Sequence, residues 1–356
     1  MPMATADLLR RALASPPGRR VAPTVRRTRD RALRALGAPP ASASADAPVA
    51  FDAWLRHIGG AELERIDAEC AAAGSDDRAG FALFRDLDVD LWAMLLSQEY
   101  GCLPHIKALL PDVPDPDLQL LWNGAGGARL ANQSKTFYEK TCDRQARFGA
   151  VALADARVLD HGCGWGRLLR FFARDVAPGN LFGVDPTPMI LDVCRRDRVP
   201  AELHQIDFLA SALPVERIDL AYSFSVFTHL SPTAAERALD ALHAAIVPGG
   251  ILVVTVRPPA YLHVAPEFAA TLTELGPGWS DAMTGAHHLF VAHPAQDSHY
   301  QYDGGEMTYG EAIITTPWIE ERWAPRFELL DVAPLVGDLH QVMVTLRRGD
   351  VHSAAR

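Results

Sequence analysis

The chain has 356 residues, 49% of them hydrophobic, and a formal net charge of −10. This length and composition suit one large globular domain with a smaller accessory region, and no run approaches the ~18 consecutive apolar residues of a membrane-spanning helix. Five scattered cysteines, none in a C-x-x-C pair, argue against a disulfide framework or a structural zinc site. They indicate reduced thiols in a cytoplasmic protein.

The charge is distributed unevenly along the chain. Residues 1–44 contain nine arginines and two aspartates, a net charge of +7, which leaves −17 for the remainder. An acidic body is a poor general binder of nucleic acid, because phosphate contacts need Lys and Arg on the binding face. We therefore expect no nucleic-acid partner. The basic segment lacks the apolar stretch of a secretory signal, and a solvated arm, a transit-like segment and weak membrane-surface or polyanion contact all fit it.

The first part of the chain is predicted to be an arm followed by helices. Residues 1–48 form the basic arm and a Pro/Ala/Ser linker, which we predict to be disordered. Residues 49–130 are predicted to form a helical cap, because apolar residues recur there at helical spacing. They are Phe51, Trp54, Leu55 and Ile58, and then Leu87, Leu91, Leu95 and Leu96. Two more helices are predicted, over 118–122 and 133–148.

Strands and helices alternate from Arg157 onward. Apolar runs predict strands over 158–160, 181–185, 201–207, 218–225 and 251–256, and helices over 168–176, 189–199 and 233–246 lie between most of them. Such alternation indicates βαβ units and a parallel sheet. Two further strands, 327–332 and 340–347, have a short connection and must pair antiparallel. The fold class is therefore a doubly wound α/β sheet of seven strands, with an antiparallel last strand and an N-terminal helical extension, in a domain spanning residues 131–350.

A glycine-rich turn follows the first of these strands. Asp160 to Gly166 read D-H-G-C-G-W-G, with glycines at 162, 164 and 166. These glycines let the backbone turn sharply against a ligand, and the predicted helix start offers N–H groups to a carboxylate. Asp185 ends the next strand, where a carboxylate can accept hydrogen bonds from ribose hydroxyls.

Two other nucleotide sites use similar glycines. A nicotinamide site would need its third glycine at Arg167, and a phosphate-binding loop would need G-K-[ST], which is absent. The observed G-x-G-x-G suits an adenosyl amino acid without phosphate. A tight turn that binds nothing is the alternative.

In these motifs the sequence resembles the class I S-adenosylmethionine-dependent methyltransferases. VLDHGCGWG resembles their first motif, FGVD (182–185) the second, IDLAYSFSVFTHL (218–230) the fourth, and VPGGILVVTV (247–256) the turn and strand that follow. The resemblance covers residues 157–347 and implies the family's seven-stranded sheet, a methyltransferase activity and S-adenosyl-L-methionine as cofactor. No [DN]-P-P-[YFW] tetrapeptide is present, which counts against nucleic-acid bases as acceptors.

The resemblance also implies roles for single residues. The first motif, with Asp160, Gly162, Cys163, Gly164 and Gly166, would surround the methionine part of the cofactor, and Asp185 would hold the ribose. Ile206 and Asp207 would contact adenine, although Asp207 could simply cap the next segment. Ser223 would line the sulfonium end. Tyr138 would close over the cofactor or be an ordinary aromatic on a helix face, and Trp165 would pack on the cofactor or shield the sheet edge.

The methyl acceptor is less well indicated by the sequence. His229, just past the fourth strand, is a candidate base, because His is the natural base near neutral pH; it could instead cap the following helix. Thr228 stands where relatives can carry an acid, so no metal ligands are predicted. Residues 257–315 form a long insertion rich in His and aromatics, predicted to be a substrate lid.

These features predict methyl transfer to a small-molecule, glycan or lipid-precursor acceptor, with oxygen favoured because of His229. A protein or RNA methyltransferase that docks its partner through the N-terminal region, and a non-catalytic cofactor-binding protein, are the alternatives. The oligomeric state is left open.

Overall fold

The computed structural model describes residues 47–73, 80–177, 179–293, 302–303 and 306–349. The predicted arm lies outside these residues, except for Ala47 and Pro48, which begin the first described helix. The chain divides into two compact units. The helical unit runs to Asn132 and includes Arg195–Arg198, and the sheet unit comprises the chain from Gln133 onward without those four residues.

The helical unit contains one helix of 27 residues and three short ones. Their bounds are α1 (Ala47–Ala73), α2 (Val89–Leu95), α3 (Pro104–Leu109) and α4 (Pro116–Asn123), with a 3-10 turn at Phe81–Phe84. Asp115 caps α4 through the backbone N–H of Asp117, and the helix ends at Gly124 with φ 66°, a left-handed conformation that glycine adopts at little cost. The helix predicted over 118–122 is confirmed.

The buried face of α1 differs from the one that the sequence predicts. Leu55, Leu63 and Ile66 are buried, whereas Trp54 and Ile58 are exposed. Gly60 has non-helical backbone angles, φ 41° and ψ −136°, which kink the helix. Leu55, Leu63 and Ile66 recur at helical spacing across Gly60, so one buried face runs along both parts of the helix, and Trp54 and Ile58 lie outside it.

The remaining helices follow in chain order. They are α5 (Gly127–Phe148), α6 (Leu169–Phe172), α7 (Pro188–Arg196), α8 (Pro232–Ala245), α9 (Ala269–Leu275), α10 (Trp279–Ala282) and α11 (Thr316–Arg322). The strands are β1 (Val158–His161), β2 (Leu181–Asp185), β3 (Glu202–Gln205), β4 (Ile218–Ser223), β5 (Ile246–Val256), β6 (His288–Ala292), β7 (Tyr302–Asp303), β8 (Glu306–Met307), β9 (Gly310–Ile314), β10 (Phe327–Pro334) and β11 (Val342–Arg348).

Seven of the described strands form one sheet, in the order β10-β11-β5-β4-β1-β2-β3. The pairs among β1 to β5 are parallel, and β11 runs antiparallel to both of its neighbours, β5 and β10. The predicted fold class is therefore confirmed, including the single antiparallel strand. Strands β1, β2, β4 and β5 read as continuous apolar runs because helices cover both faces of such a sheet.

Several element bounds differ from those predicted. β5 begins at Ile246, five residues before the predicted start, because Ile246 pairs with Ile218 of β4 and the V-P-G-G residues form an irregularity before the pairing resumes at Ile251. The helix predicted over 168–176 is reduced to the four residues of α6, and the residues after it make turns with i→i+3 hydrogen bonds such as Asp175 N–H to Phe172 O at 3.1 Å. A helix this short contributes little dipole to a bound carboxylate.

The described part of the insertion after β5 contains paired strands and a small core of its own. Strands β6 and β9 pair antiparallel, with Val291 opposite Glu311 and Ala292 opposite Gly310. A small core under this hairpin is formed by Leu262, Ala265, Phe268, Met283 and Ile313. Within the described ranges, no helix combines the length and apolarity that crossing a bilayer requires, and all five cysteines, which lie in these ranges, are free thiols.

Candidate active site

The predicted cofactor residues gather at the carboxyl ends of three neighbouring strands. β1 lies between β4 and β2, so the chain leaves β1 where the strand order reverses, the position at which open α/β sheets bind ligands. Asp160 lies in β1, Asp185 ends β2 and Ser223 ends β4. The three residues predicted from separate motifs therefore occupy one edge of the sheet.

The glycine turn after β1 needs its glycines. Gly162, Gly164 and Gly166 have φ of 77°, 52° and 77°, a region that other residues enter at a cost. A Cβ on Gly162 would also lie 2.4 Å from Cγ2 of Val226. The turn is fixed to β2, because the N–H groups of Gly162 and Cys163 both donate to the carbonyl of Val184, at 2.8 and 3.0 Å.

Asp185 is buried and tied to the same turn. One carboxylate oxygen accepts from Gly164 N–H and the other from Thr187 N–H, both at 2.9 Å. Burial raises the pKa of Asp185 to about 6, against the opposing effect of these hydrogen bonds. Each oxygen has a second lone pair, so the carboxylate can still accept from a sugar hydroxyl.

Asp160 offers the clearest fit to the amino acid end of an adenosyl ligand. It is 1% exposed, and its Oδ2 has no hydrogen-bond partner within the described part of the chain. Burial raises the pKa of Asp160 well above its usual range, while the Arg167 guanidinium opposes that shift. A buried carboxylate oxygen without a partner is costly, and an ammonium group bound there would satisfy it.

Ser223 is fully buried, whereas Ile206 and Asp207, the residues predicted to contact adenine, are partly or fully exposed. The Ser223 hydroxyl donates to the carbonyl of His161 at 2.9 Å and lies 3.2 Å from Nδ1 of the same residue, so it joins β4 to β1. Ile206 is half-buried and packs against the hydrophobic core that surrounds the seven-stranded sheet, and Asp207 is exposed. The strand predicted to reach Asp207 ends at Gln205. The contacts proposed for all three with the cofactor stay predictions.

The contacts of Tyr138 and Trp165 are those of packed side chains. Tyr138 is buried against the rings of Phe171 and Phe172, and its hydroxyl donates to Asp175. Trp165 is buried, with the Arg170 guanidinium 5.0 Å from its ring centroid. For Tyr138 these contacts correspond to the alternative of an aromatic on a helix face.

His229 lies where the loop after β4 meets β9. Its backbone carbonyl accepts from Gly310 N–H at 2.9 Å, and its Nδ1 donates to the carbonyl of Gly310 at 2.7 Å. The ring stacks on Tyr309 with centroids 5.2 Å apart. Burial, together with the nearby Arg257 cation, lowers the pKa of His229 to about 4. The imidazole is therefore neutral at physiological pH, with its lone pair on Nε2.

Three residues that the sequence did not single out as site residues surround His229. Arg257 Nη2 lies 3.4 Å from Nε2 of His229, and Arg257 Nη1 contacts the Glu311 carboxylate. Glu311 Oε1 also lies 3.2 Å from Nε2 of His293 and 3.4 Å from Nδ1 of His229. The signal available in the sequence was the density of His and aromatic residues in the insertion, which did not distinguish these from their neighbours.

Donor atoms of His229, His293 and Glu311 lie within 4.8 Å of one another, a spacing that could hold a metal ion. Two features of this cluster oppose that use. The Nδ1–H of His229 is committed to Gly310 O, and the Arg257 guanidinium already neutralises Glu311. A dication would have to displace a buried cation. The prediction of no metal ligands stays a prediction.

Comparison with known proteins agrees with this geometry. Residues 158–250 match a family model described as "Methyltransferase domain". The chain carries a methyltransferase domain. The glycine turn, Asp160 and Asp185 all lie within the matched residues.

The methyltransferase has distant structural likenesses and no match among curated proteins. An S-adenosylmethionine-dependent methyltransferase from Clostridium acetobutylicum is 13% identical, with a TM-score of 0.40 over 62% of this chain and 92% of the other. A putative one from Listeria monocytogenes is 12% identical, with a TM-score of 0.41 over 62% and 100% of the two chains. Magnesium protoporphyrin IX methyltransferase from Synechocystis is 12% identical, with a TM-score of 0.41 over 75% and 96%. Likenesses this distant carry no argument about the acceptor.

Proposed function

We propose that the methyltransferase transfers a methyl group to a hydroxyl oxygen of a small-molecule, glycan or lipid-precursor acceptor, with His229 as the base. The observation that carries this proposal is the hydrogen bond between Nδ1 of His229 and the carbonyl of Gly310. The Nδ1–H is held by that carbonyl at 2.7 Å, which leaves the Nε2 lone pair as the proton acceptor. The tautomer is thus fixed by the backbone of β9.

The chain has two tasks in this reaction, to align the acceptor and to remove its proton. When bound, S-adenosylmethionine supplies a methyl group on a sulfonium. The O–CH3 bond forms as the S–CH3 bond breaks with its electron pair left on sulfur, and the hydroxyl proton passes to Nε2 of His229. The products are the methyl ether, S-adenosylhomocysteine and a protonated His229, which returns its proton to solvent.

The lowered pKa of His229 determines at which point of the reaction its imidazole can take up a proton. With a pKa of about 4 the ring is in its base form throughout the neutral range. A base of this strength takes a proton from an oxygen whose acidity is rising, which is the situation as the bond from oxygen to the methyl carbon forms. Glu311, 3.4 Å from Nδ1, would stabilise the imidazolium once it appears.

The enclosure around His229 supports a small acceptor or a small group on a larger one. Strand β9 hydrogen-bonds along the loop after β4, through Gly310 N–H to His229 O at 2.9 Å and Ala312 N–H to Thr228 O at 2.8 Å. The N–H of Ile314 donates to Arg257 O at 3.2 Å. These bonds hold β9 against the loop that carries His229, and the His229 side chain is only 18% exposed.

The proposal is tested in two stages. Titration calorimetry with S-adenosylmethionine first establishes binding by the wild type and by His229→Ala. A screen with radiolabelled methyl donor then compares small hydroxyl compounds with their amine analogues, RNA and protein extract. We expect hydroxyl acceptors to be labelled and His229→Ala to retain cofactor affinity while losing turnover.

His288 provides a matched control for His229. It is a histidine of the same hairpin whose pKa burial also lowers to about 4, but its Nε2 is bonded to the carbonyl of Leu230 at 3.1 Å. His288→Ala should keep turnover. Unchanged turnover in His229→Ala would remove it as the base, and labelling confined to RNA or protein would overturn the acceptor class.

A further inference from the structure

Resting on the proposed function, we propose that Arg257, held in place by Glu311, is a specificity-determining residue: its guanidinium and Nε2 of His229 form a two-sided cradle for the acceptor hydroxyl, which selects oxygen over nitrogen. Neither Arg257 nor Glu311 belongs to a cofactor motif. The proposal depends on where the guanidinium lies and on what holds it there.

Arg257 is fixed at the end of β5. It directly follows Val256, which pairs with Val342 of β11 and is buried in the hydrophobic core of the sheet unit. The carbonyl of Arg257 accepts a hydrogen bond from Ile314 N–H at 3.2 Å. The guanidinium is buried and lies 4.1 Å from the ring centroid of Tyr261. Such a stacked, planar cation has little freedom to swing away.

Glu311 positions both partners of the cradle. Its Oε2 contacts Arg257 Nη1 and lies 3.4 Å from the Tyr261 hydroxyl, and its Oε1 lies 3.4 Å from Nδ1 of His229. A single buried carboxylate therefore contacts the arginine and lies beside the histidine, whose Nε2 is 3.4 Å from Nη2 of the arginine. Glu311 is thus a positioning residue.

A hydroxyl oxygen would bind beside the contact between Nη2 and Nε2, because 3.4 Å leaves no room for an oxygen between the two nitrogens. Without an acceptor, Arg257 donates to the Nε2 lone pair at 3.4 Å. A hydroxyl oxygen entering there replaces one long hydrogen bond with two, by donating its proton to Nε2 and accepting from Nη2. As the proton leaves, negative charge develops on oxygen beside a cation that cannot be deprotonated.

An amine acceptor meets the opposite electrostatics. A protonated amine is repelled by the guanidinium, and a neutral amine becomes cationic as its bond to the methyl carbon forms. Inside a buried site this repulsion is weakly screened. The same residue therefore stabilises the charge that develops on an oxygen acceptor and destabilises the charge that develops on a nitrogen acceptor.

The first test reads the geometry without an acceptor. The ring ¹⁵N signals of the chain's 13 histidines are followed against pH by NMR, and His229 is assigned by the loss of its signal in His229→Gln. The charged and titratable groups that face this ring are Arg257, Glu311, His293 and Tyr309. We expect the wild type to show a neutral Nδ1–H tautomer and Arg257→Gln to raise the pKa of His229, with His288 unmoved.

The second test measures turnover. With a hydroxyl acceptor from the labelling screen, Arg257→Gln should lower kcat about 100-fold, the scale for losing one donor to a developing oxyanion. Turnover of the matching amine should fall less or rise. The Kd for S-adenosylmethionine should not change. Arg257→Gln/Glu311→Gln, which removes both charges, is the second variant in case the single change unfolds the chain, and Glu311→Asp should recover part of the loss of Glu311→Gln.

The outcomes separate this inference from the proposed function. Loss of turnover in His229→Ala with normal hydroxyl turnover in Arg257→Gln overturns the cradle alone. Normal turnover in His229→Ala overturns the proposed function itself. A His229 pKa that does not respond to Arg257→Gln overturns the cradle even if no acceptor is found. Stoichiometric binding of Zn²⁺ or Mn²⁺, lost in His293→Ala and required for turnover, would make the cluster a metal centre and overturn it as well.

Discussion

The burial of Asp185 predicts that cofactor affinity depends on pH between about 5 and 7, a range in which a surface carboxylate stays ionised. Its pKa is raised from 3.8 to about 6 by burial. If Asp185 accepts hydrogen bonds from the ribose hydroxyls, binding requires the ionised form. At pH 5 about nine molecules in ten would be protonated, so the Kd for S-adenosylmethionine should rise about tenfold between pH 7.5 and pH 5, or about 1.4 kcal/mol.

The same shift has a consequence for the cofactor-free protein, with a determined sign. A group whose folded pKa lies above its unfolded value favours folding when protonated. Its contribution is fully present below the unfolded pKa near 3.8 and is lost as pH rises through about 6. The difference of about two pKa units corresponds to roughly 3 kcal/mol. The cofactor-free protein should therefore gain stability from this residue on mild acidification, while cofactor affinity falls.

Titration calorimetry from pH 5 to 8 measures the first effect, and urea unfolding over the same range measures the second. Asp185→Asn should weaken cofactor binding by about 2 kcal/mol at pH 7.5 and remove most of the pH dependence of both quantities. Asp160→Asn separates the contribution of Asp160 from that of Asp185, because Asp160 is the other buried carboxyl of the site and burial raises its pKa as well. Equal affinity at pH 5 and 8 in the wild type, or an unchanged pH slope in Asp185→Asn, would refute the reasoning.

Three further changes test the scaffold. Gly162→Ala should lower the free energy of unfolding in urea by roughly 1–3 kcal/mol more than Gly179→Ala does. Both glycines have positive φ, 77° and 85°, but a Cβ at Gly162 would lie 2.4 Å from a valine side chain, whereas a Cβ at Gly179 would meet nothing within 4 Å. Equal losses in the two variants would contradict the close contact. Trp323→Ala, at a fully buried position of the main core, should cost about 3–5 kcal/mol, and a cost near zero would mean that this core does not support the sheet. Tyr138→Phe should lower the unfolding free energy by about 1–2 kcal/mol with cofactor Kd unchanged, whereas normal stability with weakened binding would place Tyr138 at the cofactor.

The strand order and the cofactor turn could be read from local patterns. A strand buried on both faces must be apolar throughout, so β1, β2, β4 and β5 were visible as short apolar runs. Gly162, Gly164 and Gly166 were recognisable because backbone angles of positive φ restrict the residue type itself. Asp185 was recognisable from its position, because it ends a strand at the edge of the sheet where ligands bind. In each case the constraint acts within a few residues along the chain.

The length of a local element was less certain. The helix after the glycine turn was predicted to be nine residues long and is four, and the buried face of α1 was misjudged at Trp54 and Ile58. The kink at Gly60 and the mixed turns around α6 depend on packing against the rest of each unit. Tertiary contacts override helical periodicity at such positions.

The surroundings of His229 were decided by the tertiary structure. The bond from His229 to Gly310 spans 81 residues of sequence, and it exists because β6 and β9 pair in one register and place Glu311 opposite Val291. A shift of one residue would turn Glu311 to the other face of the hairpin. The sequence alone therefore determined the sheet, the cofactor turn and a candidate base, because these follow from local backbone and burial constraints. The partners of that base, Arg257, Glu311 and His293, depend on pairing between distant segments, which no local pattern encodes.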